Sequence, residues 1–300
     1  DIRIARSAER AAAHAMHPFV VAMDDHDVIN NWAGDQGSPR LSQRQFLALR
    51  AAAFQAFYEH CPLRPEAKPS GAAIKLNRSF AVAGLLRLIV VDSRQFRSPQ
   101  ACGGPGVKVC LEANDDDRTM LGGPQEAWLE RLLRERHSTW TVLGNQVAMM
   151  QLLHGDNGAR MVNTDKWDGY AAARRRLLNA AANAGANLVV LTGDSHRGIA
   201  GNLTVDFDDP DAKIAGVEFI ATSISSDRDG VPEAELRAML LRNNPQMRFY
   251  DTRRGYTLCT FDSERCVAEY RALDFVSRPG AAIRSAATFT ILADRPGLQP

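Results

Sequence analysis

A chain of 300 residues with 45% hydrophobic content can bury a sizeable core, and a single domain over 1–300 is expected. Its 36 basic and 35 acidic side chains nearly cancel and are spread along the chain, which leaves no patch of the kind that binds nucleic acid or an anionic membrane. There is no transmembrane segment, because no apolar run approaches the roughly 20 residues that span a bilayer. The N-terminus lacks the basic-then-apolar pattern of a secretion signal, so any targeting segment is read as already removed.

In chain order, residues 2–16 are rich in helix formers and His17-Pro18 closes them, which predicts a helix. Phe19-Val20-Val21-Ala22-Met23 is expected to be a buried strand that delivers Asp24-Asp25-His26-Asp27 to the rim of a sheet. A polar loop with Trp32 follows. Apolar residues at helical spacing predict a helix from Leu41 to His60, ended by Cys61-Pro62. Residues 79–94 read as two strands separated by Gly84, the second running into Asp92-Ser93-Arg94.

The Gly-, Pro- and Asp-rich stretch 98–123 is a surface excursion, and Pro124 opens a helix that continues to His137. Ser138–Leu143 is a strand ending in Gly144-Asn145-Gln146. The loop around Trp167 and Tyr170 leads into an alanine-rich helix, Ala171–Ala184. Strands over 187–192 and 216–223 end in Gly193-Asp194-Ser195-His196 and Thr222-Ser223. A short helix over 232–242 precedes three strands at 256–261, 266–272 and 286–292. Strands alternating with helices, then strands alone, indicate a mixed α/β sandwich.

Five expected strands thus end in carboxylates, amides, imidazoles or a guanidinium, a rim suited to hard or borderline metal ions. The chain has no G-x-S-x-G elbow, P-loop or G-x-G-x-x-G, which disfavours a serine hydrolase, an NTPase and a dinucleotide enzyme. None of its five cysteines sits in a C-x-x-C spacing, so structural zinc is not expected. Cys102 and Cys110 flank a Gly-Gly-Pro-Gly turn, and Cys259 and Cys266 can face each other across a hairpin. Each pair is either a disulfide or two reduced thiols, because spacing does not establish geometry.

Asp24-Asp25-His26-Asp27 with Asn30-Asn31-Trp32, Asp92 to Arg97, Met120-Leu121-Gly122 with Gln125, Asn145-Gln146-Val147, Trp167-Asp168-Gly169-Tyr170 and Gly193-Asp194-Ser195-His196 occur in order. Together they resemble the PhoD-like alkaline phosphatase/phosphodiesterase family, a branch of the calcineurin-like metallophosphoesterases. The resemblance implies an α/β fold, a four-layer αββα sandwich of mixed sheets, with motifs over 1–230 and mostly strands over 250–300. It implies hydrolysis of small-molecule phosphate esters at a cluster of Ca2+ and Fe3+, or of other divalent metals.

Mapped onto the family pattern, Asp25, Asp194 and His196 are implied metal ligands, Gln146 or its neighbour Asn145 falls where an isolated histidine ligand is common, and His26 is the implied proton donor to the leaving alcohol. Asn31 is the preferred extra calcium ligand, and Arg94 or Arg97 a clamp on phosphoryl oxygens, because guanidinium geometry fits phosphate. A secreted, periplasmic or cell-surface location is implied, and with it a Cys102–Cys110 disulfide. The family's opening strands, with their metal-bridging aspartate, have no counterpart here, so the sandwich is expected to be N-terminally incomplete. Two alternatives accompany this reading: a truncated, inactive fragment acting at most as a binding module, and a phosphodiesterase acting on phospholipids.

Overall fold

Apolar runs separated by helical segments favour parallel strands covered on both faces, and such strands form the centre of the molecule. The computed structural model describes residues 8–135, 137–155 and 159–299. Among them the helices are α1 (Ala8–Met16), α2 (Gln43–His60), α3 (Gly123–Arg134), α4 (Ala171–Ala184) and α5 (Ala234–Asn243). The strands are β1 (Arg78–Val82), β2 (Leu86–Val90), β3 (Val107–Lys108), β4 (Trp140–Asn145), β5 (Val162–Asn163), β6 (Leu188–Thr192), β7 (Gly198–Thr204), β8 (Ile214–Ile220), β9 (Met247–Asp251), β10 (Arg254–Phe261), β11 (Arg265–Leu273) and β12 (Ile283–Leu292). The first part of the expected N-terminal helix, residues 2–7, lies outside the described residues.

The main sheet runs β1-β2-β4-β6-β8-β7-β9. Strands β2, β4, β6 and β8 are mutually parallel, whereas β1, β7 and β9 pair antiparallel. Successive residues of the parallel strands serve opposite faces. Leu143 and Val190 pack with Leu129, Leu133, Leu177 and Leu178 of α3 and α4, while Val142 and Val189 pack against Cys266, Ala268 and Tyr270 of the β10-β11-β12 sheet. The described elements therefore stack as helices, mixed sheet and antiparallel sheet.

Local signals explain most boundaries. Ser42 accepts from the Gln45 N–H while the Gln45 side chain accepts from the Ser42 N–H, a capping box that starts α2. The buried face of α2, Phe46, Arg50, Phe54 and Phe57, holds Trp32 in a separate small core, with the Arg50 guanidinium over the Trp32 ring. Ala83 and Gly84 both take positive φ, which makes the tight β1–β2 turn.

Phe19–Met23 departs from expectation, since none of its residues is in a strand. A β-prone run becomes a strand only beside a backbone that can accept its hydrogen bonds, and no described strand pairs with it. Arg78 instead donates to the Val21 carbonyl, and Phe19 and Val20 are exposed. With Pro18, Val20 and Ala22 on one side and Leu88, Val142, Phe219, Cys259 and Phe261 among its other walls, this segment borders an apolar cavity of about 1030 Å3.

Strand β7 has no counterpart among the expected strands, and Gly198, Gly201 and Asn202 weaken its strand signal. Gly201 is there for contact rather than for a turn: a Cβ would lie 2.4 Å from Met150 Sδ and 2.7 Å from the Gln246 carbonyl. Strand β9, Met247–Asp251, was also missed.

Cys102 and Cys110 are joined in a disulfide with Cα atoms 5.8 Å apart, whereas Cys259 and Cys266 are free thiols that share a hydrogen bond. A loop of this size is stabilised by about 2 to 3 kcal/mol at most on the chain-entropy estimate. Replacing both Cys102 and Cys110 by serine is accordingly expected to lower unfolding free energy by no more than that in denaturant titrations. Complete loss of folding would show that the bridge holds more than its own loop.

Candidate metal centre

Because β2, β4, β6 and β8 are parallel and in register, Val90 lies beside Gly144, Asn145 beside Thr192, and Thr192 beside Ile220. Their C-terminal ends therefore open on one edge, where ligands collect in open α/β sheets. Four of the five expected rim segments are there, and the fifth, Asp24–Asp27, reaches the same place from the loop after Met23.

That loop is folded by Asp25. Its Oδ1 accepts the His26 N–H at 2.7 Å and its Oδ2 the Asn31 N–H at 2.9 Å, which turns the chain back on itself. Burial works against the Asp25 anion, but the Arg94 charge and these two N–H donors outweigh it and hold the carboxyl below its ordinary pKa. Asp24, Asp25, His26, Asp27, Asn30, Asn31, Asp194, His196 and Ser226 line a cavity of about 570 Å3.

The backbone at this cavity is strained. Asn31, Asp194 and His196 have φ of 54°, 62° and 52°. Ser195 N–H donates to the Gly193 carbonyl at 2.7 Å, which puts Asp194 at the centre of a positive-φ γ-turn. Left-handed non-glycine residues cost of order 1–3 kcal/mol each and cluster where a site needs a particular aim.

One guanidinium organises the charges. Arg94, 1% exposed, donates from Nε to Asp24 Oδ1 at 2.7 Å and from Nη1 to Asp165 Oδ1 and Oδ2 at 3.0 and 3.1 Å. Its Nη2 stands 3.8 Å from both Asp25 Oδ2 and Asp194 Oδ1 and has no hydrogen-bond partner. Lys166 brings a second cation against Asp194 Oδ2. Burial pulls its pKa down to about 8, although the carboxylates of Asp165, Asp24 and Asp25 act in the opposite sense.

Buried polar bonds brace the edge from behind. Asn145 accepts from Trp167 Nε1 at 3.2 Å and donates to Thr192 Oγ1 at 3.1 Å, and Thr192 donates to Glu218 Oε1 at 2.6 Å. Glu218 also accepts the Met149 and Met150 N–H groups; burial nonetheless raises its pKa. On the outer side His196 Nδ1 lies 3.1 Å from Asp227 Oδ2, and the fully buried Arg254 donates to the His196 carbonyl at 2.9 Å.

Of the residues expected to act, Asp25, Asn31, Asp194, His196 and His26 share the cavity wall, and Arg94 does not line it but stands 3.8 Å from Asp25 and Asp194. Gln146 does not line this cavity: its Oε1 accepts from Ser93 N–H and its Nε2 donates to the Val91 carbonyl, and it borders the larger apolar cavity, whose walls also include Asp24 and Asp194. Both ends of its amide are thus committed to strand ends. Trp32, Trp167 and Tyr170 are buried core side chains, and none of them lines this cavity.

Sequence reading passed over Asp24, Asp165 and Lys166. The signal for the last two was the pair of charges just before Trp167, which was read as an ordinary polar loop.

Asp24, Asp25 and Asp194 each offer a carboxylate oxygen, all within 4.8 Å of one another. Such a donor set fits a hard cation that seeks oxygen. His196 is outside that close triad, at the same cavity.

A family model for PhoD-like phosphatases matches residues 3–270. The chain belongs to the PhoD-like phosphatase family. Alkaline phosphatase D of Bacillus subtilis (strain 168) is 39% identical over 289 residues, which are 96% of this chain and 50% of that protein. A solved structure of PhoD superposes with a TM-score of 0.93 at 39% identity, covering 97% of this chain and 56% of the other. The chain thus spans about half the length of the relatives it matches. The mixed central sheet agrees with that fold, and among the described residues no helix is long and apolar enough to cross a membrane.

Proposed function

We propose that this PhoD-like chain carries one wall of a metal centre that hydrolyses small-molecule phosphate esters. The observation that supports this most is the meeting of Asp25, Asn31, Asp194 and His196 in one cavity, with three acidic oxygens within 4.8 Å. The uncovered half of its relatives supports reading the chain as part of a longer phosphoesterase with a four-layer αββα sandwich. The apolar cavity between the two sheets is where further strands would pack, and the single domain of 1–300 would be completed there. A secreted or periplasmic setting is in keeping with the Cys102–Cys110 disulfide.

In this reading Asp25, Asn31, Asp194 and His196 hold Ca2+, Fe3+ or a similar cation, with Gln146 steadying the β2 and β4 ends behind them. A cation in this position neutralises phosphoryl oxygens and lowers the pKa of water. The protein's own share is positioning and proton delivery, as phosphoryl transfer requires. Arg94 is buried and does not line the cavity, so instead of clamping a phosphoryl oxygen it fixes Asp24 and Asp165 and sets its Nη2 3.8 Å from Asp25 and Asp194, orienting the carboxylates that hold the cation. His26 is exposed at the cavity wall with Nε2 3.0 Å from Asn30 Oδ1, able to turn towards a leaving alcohol.

General acids contribute about 10² to 10⁴ in rate. In the active protein His26→Ala should therefore slow alkyl phosphate esters by that range and spare aryl esters, whose leaving groups need no proton. Equal loss on both, or loss of bound metal, would remove His26 from this role.

A further inference from the structure

Besides Arg94, Lys166 sets a cation against the acidic triad, at Asp194. It follows Asp165 on a short loop anchored at both ends. Before it, Asp165 N–H donates to Asn163 Oδ1 at 3.0 Å and its carboxylate holds Arg94; after it, Trp167 donates to Asn145. The loop backbone adds bonds from Lys166 N–H to the Asn163 carbonyl and from Gly169 N–H to the Lys166 carbonyl. From this anchored loop the lysine side chain runs to Asp194 Oδ2. The side chains of Lys166 and Asp194 are only 16% and 10% exposed, so this is not a loose surface pair.

Arg94 cannot play the same part. Its Nε and Nη1 are already spent on Asp24 and Asp165, and its Nη2 stands 3.8 Å from Asp25 and Asp194. A cation held by the triad would draw on the same Asp194 carboxylate that Lys166 meets.

We infer that Lys166 is a tethered counter-ion that competes with a divalent cation for Asp194. This rests on reading the cavity as a cation site and adds how its affinity is set. With the metal absent, the ammonium balances carboxylates that would otherwise repel one another at close range. When a cation binds, the ammonium leaves Asp194 Oδ2, and the work of displacing it weakens the observed affinity. The same tether keeps the metal-free protein folded around a site rich in negative charge.

Two readouts of opposite sign separate this from a merely structural lysine. Calcium titration of the 300-residue chain by calorimetry, at constant pH and low salt, is expected to show Lys166→Met binding at least about tenfold more tightly than the unaltered chain. Lys166→Arg should stay close to the unaltered chain, and Asp194→Asn should lose binding. In thermal unfolding without metal, Lys166→Met should melt lower than the unaltered chain, and calcium should raise its melting temperature by more. Lys166→Gln, which keeps a polar end, repeats both measurements should the methionine variant fold poorly.

Binding that disappears in Asp194→Asn but is unchanged or weaker in both uncharged Lys166 variants would overturn the counter-ion and leave the cation site standing. Absence of binding in every variant would overturn both.

Discussion

Asp194→Asn is expected to reduce phosphate-ester hydrolysis by the active protein by more than about 100-fold, the upper range for loss of a residue that only supports a metal ligand. Its carboxylate is the meeting point of the site: Oδ1 faces Arg94, Oδ2 faces Lys166, and both Asp24 and Asp25 present an oxygen within 4.8 Å. Asparagine keeps the shape and tolerates positive φ nearly as well as aspartate, so the γ-turn at 193–195 should survive. What goes is the charge. Steady-state rates with an aryl phosphate, together with metal content of the purified protein, check this; a variant with full metal and a loss below tenfold would place the site elsewhere.

The second large effect concerns stability. Arg94→Met should lower unfolding free energy by about 3 to 5 kcal/mol, the range for removing one partner of a buried ion pair and leaving the other charges uncompensated. Burial alone would disfavour the Arg94 charge, but Asp24, Asp165 and Asp25 reverse the balance and raise its pKa, so the carboxylates depend on it as much as it depends on them. Arg94→Lys should recover only part of the loss, because an ammonium cannot bridge Asp24 and Asp165 with a planar fork. Urea unfolding in the absence of metal measures this, and an Arg94→Met loss below about 1 kcal/mol would mean that the carboxylates are protonated or hydrated there.

The rim of the sheet was legible because each parallel strand shows itself twice, as a continuous apolar run and as the abrupt polar residues after it. Val189-Val190-Leu191 followed by Gly193-Asp194 could hardly be read otherwise, and likewise Ile89-Val90-Val91 before Asp92. Helix α4 was bounded correctly because Ala171–Ala184 is alanine-, arginine- and leucine-rich apart from Asn179 and Asn183, and Gly185 supplies the left-handed cap.

What was misread depends on partners that local sequence does not specify. Phe19–Met23 has strand propensity, but its pairing would come from backbone supplied by a distant segment. Gly201 in β7 looks like a breaker until Met150 and Gln246 are seen against it. Gln146 has ligand chemistry, yet its orientation is fixed by the Val91 carbonyl and Ser93 N–H, fifty-odd residues away in sequence. Lys166 was overlooked for a similar reason: only the placement of Asp165 beside Arg94 and Trp167 beside Asn145 turns it towards Asp194.

The most direct test of the metal centre is anomalous X-ray scattering from crystals of this chain grown with Mn2+ or Ca2+. A peak at coordination distance from Asp194, roughly 2.1 to 2.6 Å for such hard cations, with Asp25 or Asn31 beside it and the Lys166 ammonium withdrawn, is the expected result. A cation bound away from Asp194, or a fully loaded crystal in which Lys166 still contacts Asp194 Oδ2, would contradict the account.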